Sequence, residues 1–566
     1  MLLAVLLAPA LQPDAFAAPL DYTEADVRDV RGIYDDSLDG GRGLAESATP
    51  PFSSELAIKV AGPKKQLLLS FTNRIRVDFA FTWVAHIRAL GLTNFLVGAT
   101  DDVAVEELTT GKVPCFSMKT NLPQGEWPWG SSSFKALGPH KIELIYKSIQ
   151  WGLEVVITDI DALVLRDPFP YMARYPDAGF LTTSDHLGNT TADDGLEDHR
   201  GIHSAFNIGY MFFRPSAIPL VEEWRRYINE DPRNRWDQGE FNRIARSKWK
   251  PGRTDGLSDK RLFWAYQEKV IGGVLPIALF AGGHNYFVSQ LAQRMGVPPY
   301  SIHTTFQYSA AAGKRHRLRE AMVWIDEPSY YDPPGALLVS LIASQARAAA
   351  PASSLLLPLG GLLVYAPDVP KALVYPPKGM TTNGHIALVK HQLRQIRSAL
   401  ALAQALGRKL ILPEVTCGYD KAWFQLSGGA ARGAFAGAHA FILPIRKCPL
   451  DHFLELHPLH PLETIREFSL LSNPRTPAAV KGGVVTAEID AGGGTGAVEK
   501  LAVHKTARVL NVSNLASVDT LPLLTTAQLS GFKQKFKFAG GGWCCAPAAD
   551  KQAGMPNNAH FSLLRS

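Results

Sequence analysis

The chain has 566 residues, too many for one hydrophobic core, so it is expected to fold as two or more domains. With 46% hydrophobic and 19% charged residues it has a globular balance, which excludes wholesale disorder. Lys plus Arg exceeds Asp plus Glu by only six, 58 against 52, too small an excess to argue for a nucleic-acid partner.

The first nineteen residues, MLLAVLLAPALQPDAFAAP, form a short apolar run followed by small residues. Residues 1–20 read as a candidate signal or a poorly represented membrane anchor, since the run is too short to span a bilayer. Residues 21–64 are polar and turn-rich, a stem or lead-in. Gln66 to Thr72 is an apolar strand. Asp78 to Gly91 has helical spacing with a glycine stop, and Asn94 to Thr100 is a second strand. His140 to Gly152 is a further helix with a glycine stop, followed by the strand EVVITDI. This alternation predicts an α/β fold with a mostly parallel sheet covered by helices. AFNIGYMFFR (205–214) reads as another strand and AIPLVEEWRRYINE as the amphipathic helix after it.

Domain 65–335 is followed by an Ala-, Leu-, Ser- and Pro-rich linker over 336–362. Residues 363–566 then form a C-terminal α/β domain, read from a long helix ending near Gly407 and a strand Lys409 to Leu412. No internal repeat is visible. The Gly540–Cys545 stretch suggests no mechanism. Cys417 and Cys448 suit either one lumenal disulfide or two buried thiols, and no CxxC pair exists. Asn189 and Asn511 head glycosylation sequons.

The chemistry concentrates at VVITDIDALVL (155–165), where Asp159 and Asp161 end an apolar strand. Ligands of open α/β sheets bind beyond the carboxyl ends of strands. In an extended segment residues i and i+2 face one side, so both carboxylates are expected to share a crevice. Two such charges repel unless a cation lies between them, and a hard divalent ion also binds phosphates. The plainer reading is a turn in which Asp159 caps and Asp161 is solvated. A metal with phosphates points to a nucleotide-sugar transferase, where the ion neutralises a diphosphate leaving group. Asp185, Asn207, Asp237 and Gln238 fall at loops or strand ends and suit sugar hydroxyls. His303 suits a third metal ligand, and the Lys314, Arg315, His316, Arg317 run suits phosphate. No GxGxxG follows the first strand, which disfavours a dinucleotide-binding dehydrogenase.

ITDIDALVLRDPFPYMARYPDAGFLTTSDH, AFNIGYMFFRPS, WDQGEFN and PPYSIHTTFQYSAAAGKRHRLREAM together resemble plant and algal glycosyltransferase family 77, and the extensin arabinosyltransferases within it. The likeness runs nearly continuously over residues 65–330 and more loosely beyond. It implies a GT-A nucleotide-diphospho-sugar transferase fold. It also implies metal-dependent, retaining transfer of L-arabinofuranose from a UDP-sugar donor to hydroxyproline-linked arabinosides of cell-wall glycoproteins. The setting implied is the Golgi lumen, with a type II membrane anchor. Carried over, Asp159, Asp161 and His303 are the ligands of a divalent metal, manganese. Asn207, Asp237 and Gln238 are catalytic, lining the donor sugar. Asp185, Lys141, Lys314 and Arg315 join Asp159 and Asp161 as donor-binding residues. The alternatives left open are another UDP-sugar donor, galactose or xylose, and a catalytically silent glycan-binding relative.

Overall fold

The computed structural model describes residues 49–333, 360–421, 443–544 and 558–560, apart from short gaps at 119, 123–124, 128–129, 186–189, 200–204, 251, 453, 457–458, 460–463, 491–495, 538 and 541. The candidate leader 1–20, the lead-in as far as residue 48, the linker as far as residue 359, Asn189 and Cys545 lie outside the described residues. Among the described residues no helix is long and apolar enough to cross a membrane.

The chain divides into two compact units. The first holds the residues up to Tyr286 together with Gln290–His303, and the second holds Phe287–Ser289 and the residues from Thr304 onward. The first unit is built on an eight-stranded sheet. Its opening strands are β1 (Gln66–Thr72), β2 (Phe95–Ala99), β3 (Cys115–Ser117) and β4 (Glu154–Thr158). A short β5 (Ala162–Val164) follows, then β6 (Phe180–Ser184), β7 (Phe206–Phe213), β8 (Phe263–Ala265) and β9 (Val270–Val274). The order across the sheet is β3-β2-β1-β4-β7-β6-β9-β8. Four of its seven pairings are parallel, β1 with β2, β2 with β3, β1 with β4 and β6 with β9. The helices α1 (Val77–Ala89) and α2 (Gly138–Gln150) supply the crossovers before β2 and β4. Each ends where Gly91 and Gly152 adopt positive φ, 71° and 77°, which a side chain would oppose.

A second, three-stranded sheet has β5 at one edge. Strands β10 (Phe280–Gly282) and β11 (Ser301–His303) pair in parallel, and β11 pairs antiparallel with β5. Leu67, Leu68, Val155, Val156, Ile157, Met211 and Phe212 are all fully buried, so the central strands read as continuous apolar runs.

One side chain locks the far end of this core. Arg214 donates to Glu154 Oε1 at 2.7 Å and to the carbonyls of Tyr175, Ala178 and Met172 at 2.7, 2.9 and 3.1 Å. Arg214→Met would strand three partly buried carbonyls and one carboxylate. A loss of about 2–4 kcal/mol is expected, read as a lower urea midpoint. An unchanged midpoint would show that water replaces the guanidinium at no cost.

The second unit has a five-stranded sheet that is parallel throughout. Its strands are β12 (Leu362–Val364), β13 (Lys409–Ile411), β16 (Ile465–Arg466), β17 (Val484–Glu488) and β18 (Val509–Ser513), in the order β16-β13-β12-β18-β17. The numbers between belong to a small antiparallel pair, β14 (Thr416–Cys417) and β15 (Ile445–Arg446). Helix α3 (Thr382–Ala405) buries Val389, Leu393, Ile396, Ala399 and Leu400 in the main core of this unit. Cys417 and Cys448 form a disulfide, their Cα atoms 5.7 Å apart, which resolves the two readings open in the sequence. Residues from Thr304 join this unit through Arg317, whose Nε donates to Asp451 Oδ2 at 3.0 Å with neither side chain exposed. The expected catalytic segment 65–335 therefore contributes to both units.

Candidate functional site

The candidate site is built from the end of β4 upward. Thr158, the last residue of that strand, is fully buried. Its hydroxyl accepts from Trp83 Nε1 at 3.0 Å, and its carbonyl accepts from Ser70 Oγ at 3.0 Å. The backbone is thus held just before the acidic pair begins. Asp159 continues the ladder by donating its N–H to the Gly209 carbonyl at 2.8 Å.

The pair does not lie in an extended segment. A turn closes from the Asp159 carbonyl to the Ala162 N–H at 2.9 Å, and β5 starts there. The expectation that i, i+2 alternation aligns the carboxylates is thereby corrected. A turn folds the second carboxylate back toward the first, and the half-buried Asp159 and buried Asp161 then face the same imidazole. That imidazole is His303, whose residue pairs across strands with Ala162. Its Nε2 lies 3.7 Å from Asp159 Oδ2 and 3.9 Å from Asp161 Oδ2. One ligand atom from each of the three residues lies within 4.8 Å of the others. Two carboxylates and an imidazole suit a divalent ion such as Mn2+, and a cation between the acids would offset their repulsion.

Lys141, in the first turns of α2, supports the cluster from beneath. It is 3% exposed. Its Nζ donates to Asp159 Oδ1 at 2.7 Å and to the Ile208 carbonyl at 2.6 Å. One oxygen of Asp159 is thus held by the lysine while the other faces His303.

A second group of polar side chains forms around Asp185, immediately after β6. Its Oδ1 accepts from Asn207 Nδ2 at 2.6 Å and its Oδ2 accepts from Gln238 Nε2 at 2.9 Å. Asn207 Oδ1 in turn accepts the Gly209 N–H at 2.8 Å. Burial pushes the Asp185 carboxyl up, against the pull of the two amides and of His303. Asn207 is the second residue of β7, at the place where the pairing with β6 jumps from Met211 to Asn207. Ile208, Gly209 and Tyr210 therefore have no strand partner in β6, while Tyr210 still pairs with Thr158 of β4.

Asp237 and Gln238 open the helix Asp237–Ala245. Asp237 keeps part of its surface open, yet protein packs closely around it. That burial raises its carboxyl to about 6, and Lys141 offsets part of the rise. Gly138 makes room for it, since a Cβ there would sit 2.8 Å from the Asp237 Cβ. Lys314 and Arg315 lie on the helix Ala310–Glu320 of the second unit, outside the unit that holds these groups.

Sequence reasoning did not single out Gly138, Gly209, Trp83 or Thr158. Gly209 stands inside the stretch AFNIGYMFFR, and a glycine within a bulky apolar strand is a signal of close approach. Gly138 and the Trp83–Thr158 bond leave no such trace.

The family model for nucleotide-diphospho-sugar transferase matches residues 90–318. Among curated relatives, arabinosyltransferase XEG113 of Arabidopsis thaliana is 37% identical over 430 residues, 73% of this chain and 60% of the relative. Arabinosyltransferase RRA2 of the same plant is 24% identical over 237 residues, covering 40% of this chain and 54% of its own length. Beta-arabinofuranosyltransferase RAY1, also from Arabidopsis thaliana, is 27% identical over 182 residues, 31% of this chain and 32% of the relative. The chain thus spans about three fifths of the first relative and less of the other two. Residues 90–318 thus match the nucleotide-diphospho-sugar transferase family model, and the chain is similar to these plant arabinosyltransferases.

Proposed function

We propose that the chain is a metal-dependent, retaining glycosyltransferase that moves L-arabinofuranose from UDP-arabinofuranose to hydroxyproline-linked arabinosides of extensin-like glycoproteins. The observation that carries this reading is the convergence of Asp159, Asp161 and His303 at the carboxyl end of β4. The neighbouring group of Asp185, Asn207 and Gln238 supports it. Arabinose is favoured as the sugar because the relatives named above are arabinosyltransferases.

Asp159, Asp161 and His303 would hold the ion, Mn2+ in this reading. When bound, the ion supplies positive charge beside the diphosphate leaving group. Lys141 fixes the angle of Asp159. Asn207 and Gln238, aligned by Asp185, offer amide groups to the sugar hydroxyls. Asp237 places a carboxylate near the anomeric carbon and stabilises the positive charge that develops there. We favour a same-face substitution. The bond from the anomeric carbon to the phosphate oxygen breaks, the bond to the acceptor oxygen forms on the same face, and the acceptor proton passes to the departing phosphate. A Golgi lumenal setting agrees with the Cys417–Cys448 disulfide, which needs an oxidising compartment.

The test is a panel of UDP-arabinofuranose, UDP-galactose and UDP-xylose with a hydroxyproline arabinoside, with Mn2+ or with excess chelator. Product is expected from UDP-arabinofuranose, and only with the ion. Product from another sugar would replace the donor. Glycan binding with no transfer from any sugar would favour a silent relative.

A further inference from the structure

We infer that Gly209 is a positioning residue whose missing side chain is the seat of the His303 imidazole. The inference rests on the metal-dependent reading above and extends it to a residue outside the ligand set. A Cβ built at Gly209 would lie 2.0 Å from His303 Cε1, 2.6 Å from Nδ1 and 2.8 Å from Nε2. No carbon can approach so closely, so the ring occupies the space a side chain would need. Backbone freedom is not the reason for glycine here. Gly209 is absent from the positions with positive φ, and its neighbours in β7 are ordinary strand residues. Space for the ring is the remaining demand.

The position is a junction of the two polar groups. Its carbonyl accepts the Asp159 N–H at 2.8 Å, and its own N–H goes to Asn207 Oδ1 at 2.8 Å. The carbonyl before it, of Ile208, accepts Lys141 Nζ at 2.6 Å, and the same nitrogen holds Asp159 Oδ1 at 2.7 Å. The irregular pairing at Thr182/Thr183 leaves Ile208, Gly209 and Tyr210 without strand partners in β6. The bulge thus sets the backbone of Asp159 and leaves the gap for His303 in one stroke.

A methyl group at 209 has a cheap way out and an expensive one. The clashing atoms are the far end of a side chain, so the ring can swing aside while the ladder stays formed. The imidazole then leaves Asp159 and Asp161. The fold survives and the third ligand is lost.

The experiment uses the full chain as wild type, Gly209→Ala, His303→Ala and the double variant. Mn2+ affinity is measured by calorimetry without donor, and thermal unfolding is followed without metal. Gly209→Ala is expected to weaken Mn2+ by about 10–100-fold, the range seen when a ligand's support is removed. It should also lower the metal-free unfolding temperature. In the double variant no ring remains to clash, so its unfolding temperature should be no lower than that of His303→Ala. Wild-type Mn2+ affinity in Gly209→Ala, or additive losses of unfolding temperature in the double variant, would overturn the inference. If the wild type binds no divalent ion, the metal reading fails by itself. The unfolding cycle then still decides whether the glycine seats the ring.

Discussion

Asp161→Asn is expected to remove transfer almost completely, by about a thousandfold or more, while the protein stays folded. The size follows from the several kcal/mol that an ion contributes to a phosphate leaving group, at about 1.4 kcal/mol per tenfold. Asp161 is 3% exposed and offers the cluster its most enclosed carboxylate. Its Oδ2 faces His303 Nε2 at 3.9 Å, beside Asp159. Asparagine keeps the shape and removes the charge. Like charges that no longer face each other cost less, so the metal-free variant should unfold no earlier than the wild type. UDP affinity should fall when Mn2+ is present and stay unchanged when chelator is present. The measurements are transfer rate, UDP calorimetry with and without Mn2+, and metal-free unfolding. Near wild-type transfer by Asp161→Asn would sink the metal assignment.

Asp237→Ala should separate chemistry from binding. The carboxylate is assigned to the sugar, so turnover should drop by about a hundredfold or more while UDP affinity with Mn2+ changes little. A loss of UDP affinity as large as that of Asp161→Asn would refute this division of roles. The wild type should also show an acid limb. Burial raises this carboxyl to about 6, so its ionised form disappears as the pH falls through that value. Transfer should therefore decline below about pH 6 and level off above it, and the limb should vanish from whatever activity Asp237→Asn retains.

The stability consequence has the opposite direction to the usual carboxylate. The folded value lies above the unfolded one, so ionising Asp237 works against folding. That penalty is absent below about pH 4, grows between about 4 and 6, and is complete above. At pH 7 Asp237→Asn should be more stable than the wild type by on the order of 3 kcal/mol. The difference should close as the pH approaches 4. A variant less stable at pH 7 would mean that Lys141 repays the burial of the charge in full.

The local elements of the first unit are legible in neighbouring residues alone. Runs such as Gln66–Thr72 and Glu154–Thr158 are apolar because both sheet faces are covered, and Gly91 and Gly152 end helices because their φ is positive. These are short-range demands and leave a trace in neighbouring residues. The acidic pair after β4 was legible for the same reason: charge at the end of an apolar strand is a local anomaly. The second unit was harder to read. Its strands β13, β16 and β12 have three, two and three residues, and β17 is exposed along most of its length, so no long apolar run marks them.

How the site closes depends on contacts between residues far apart in the chain. His303 reaches the acids because β11 pairs with β5, a register that no spacing between residues 161 and 303 encodes. Asp185 meets Asn207 and Gln238 from three separate elements. Lys141 finds Asp159 across a helix–strand contact, and the gap at Gly209 has meaning only once a ring stands in it. Each of these is a contact between side chains distant in the chain. The energy of such a contact depends on distance and burial, and both come into being only when the sheet is assembled.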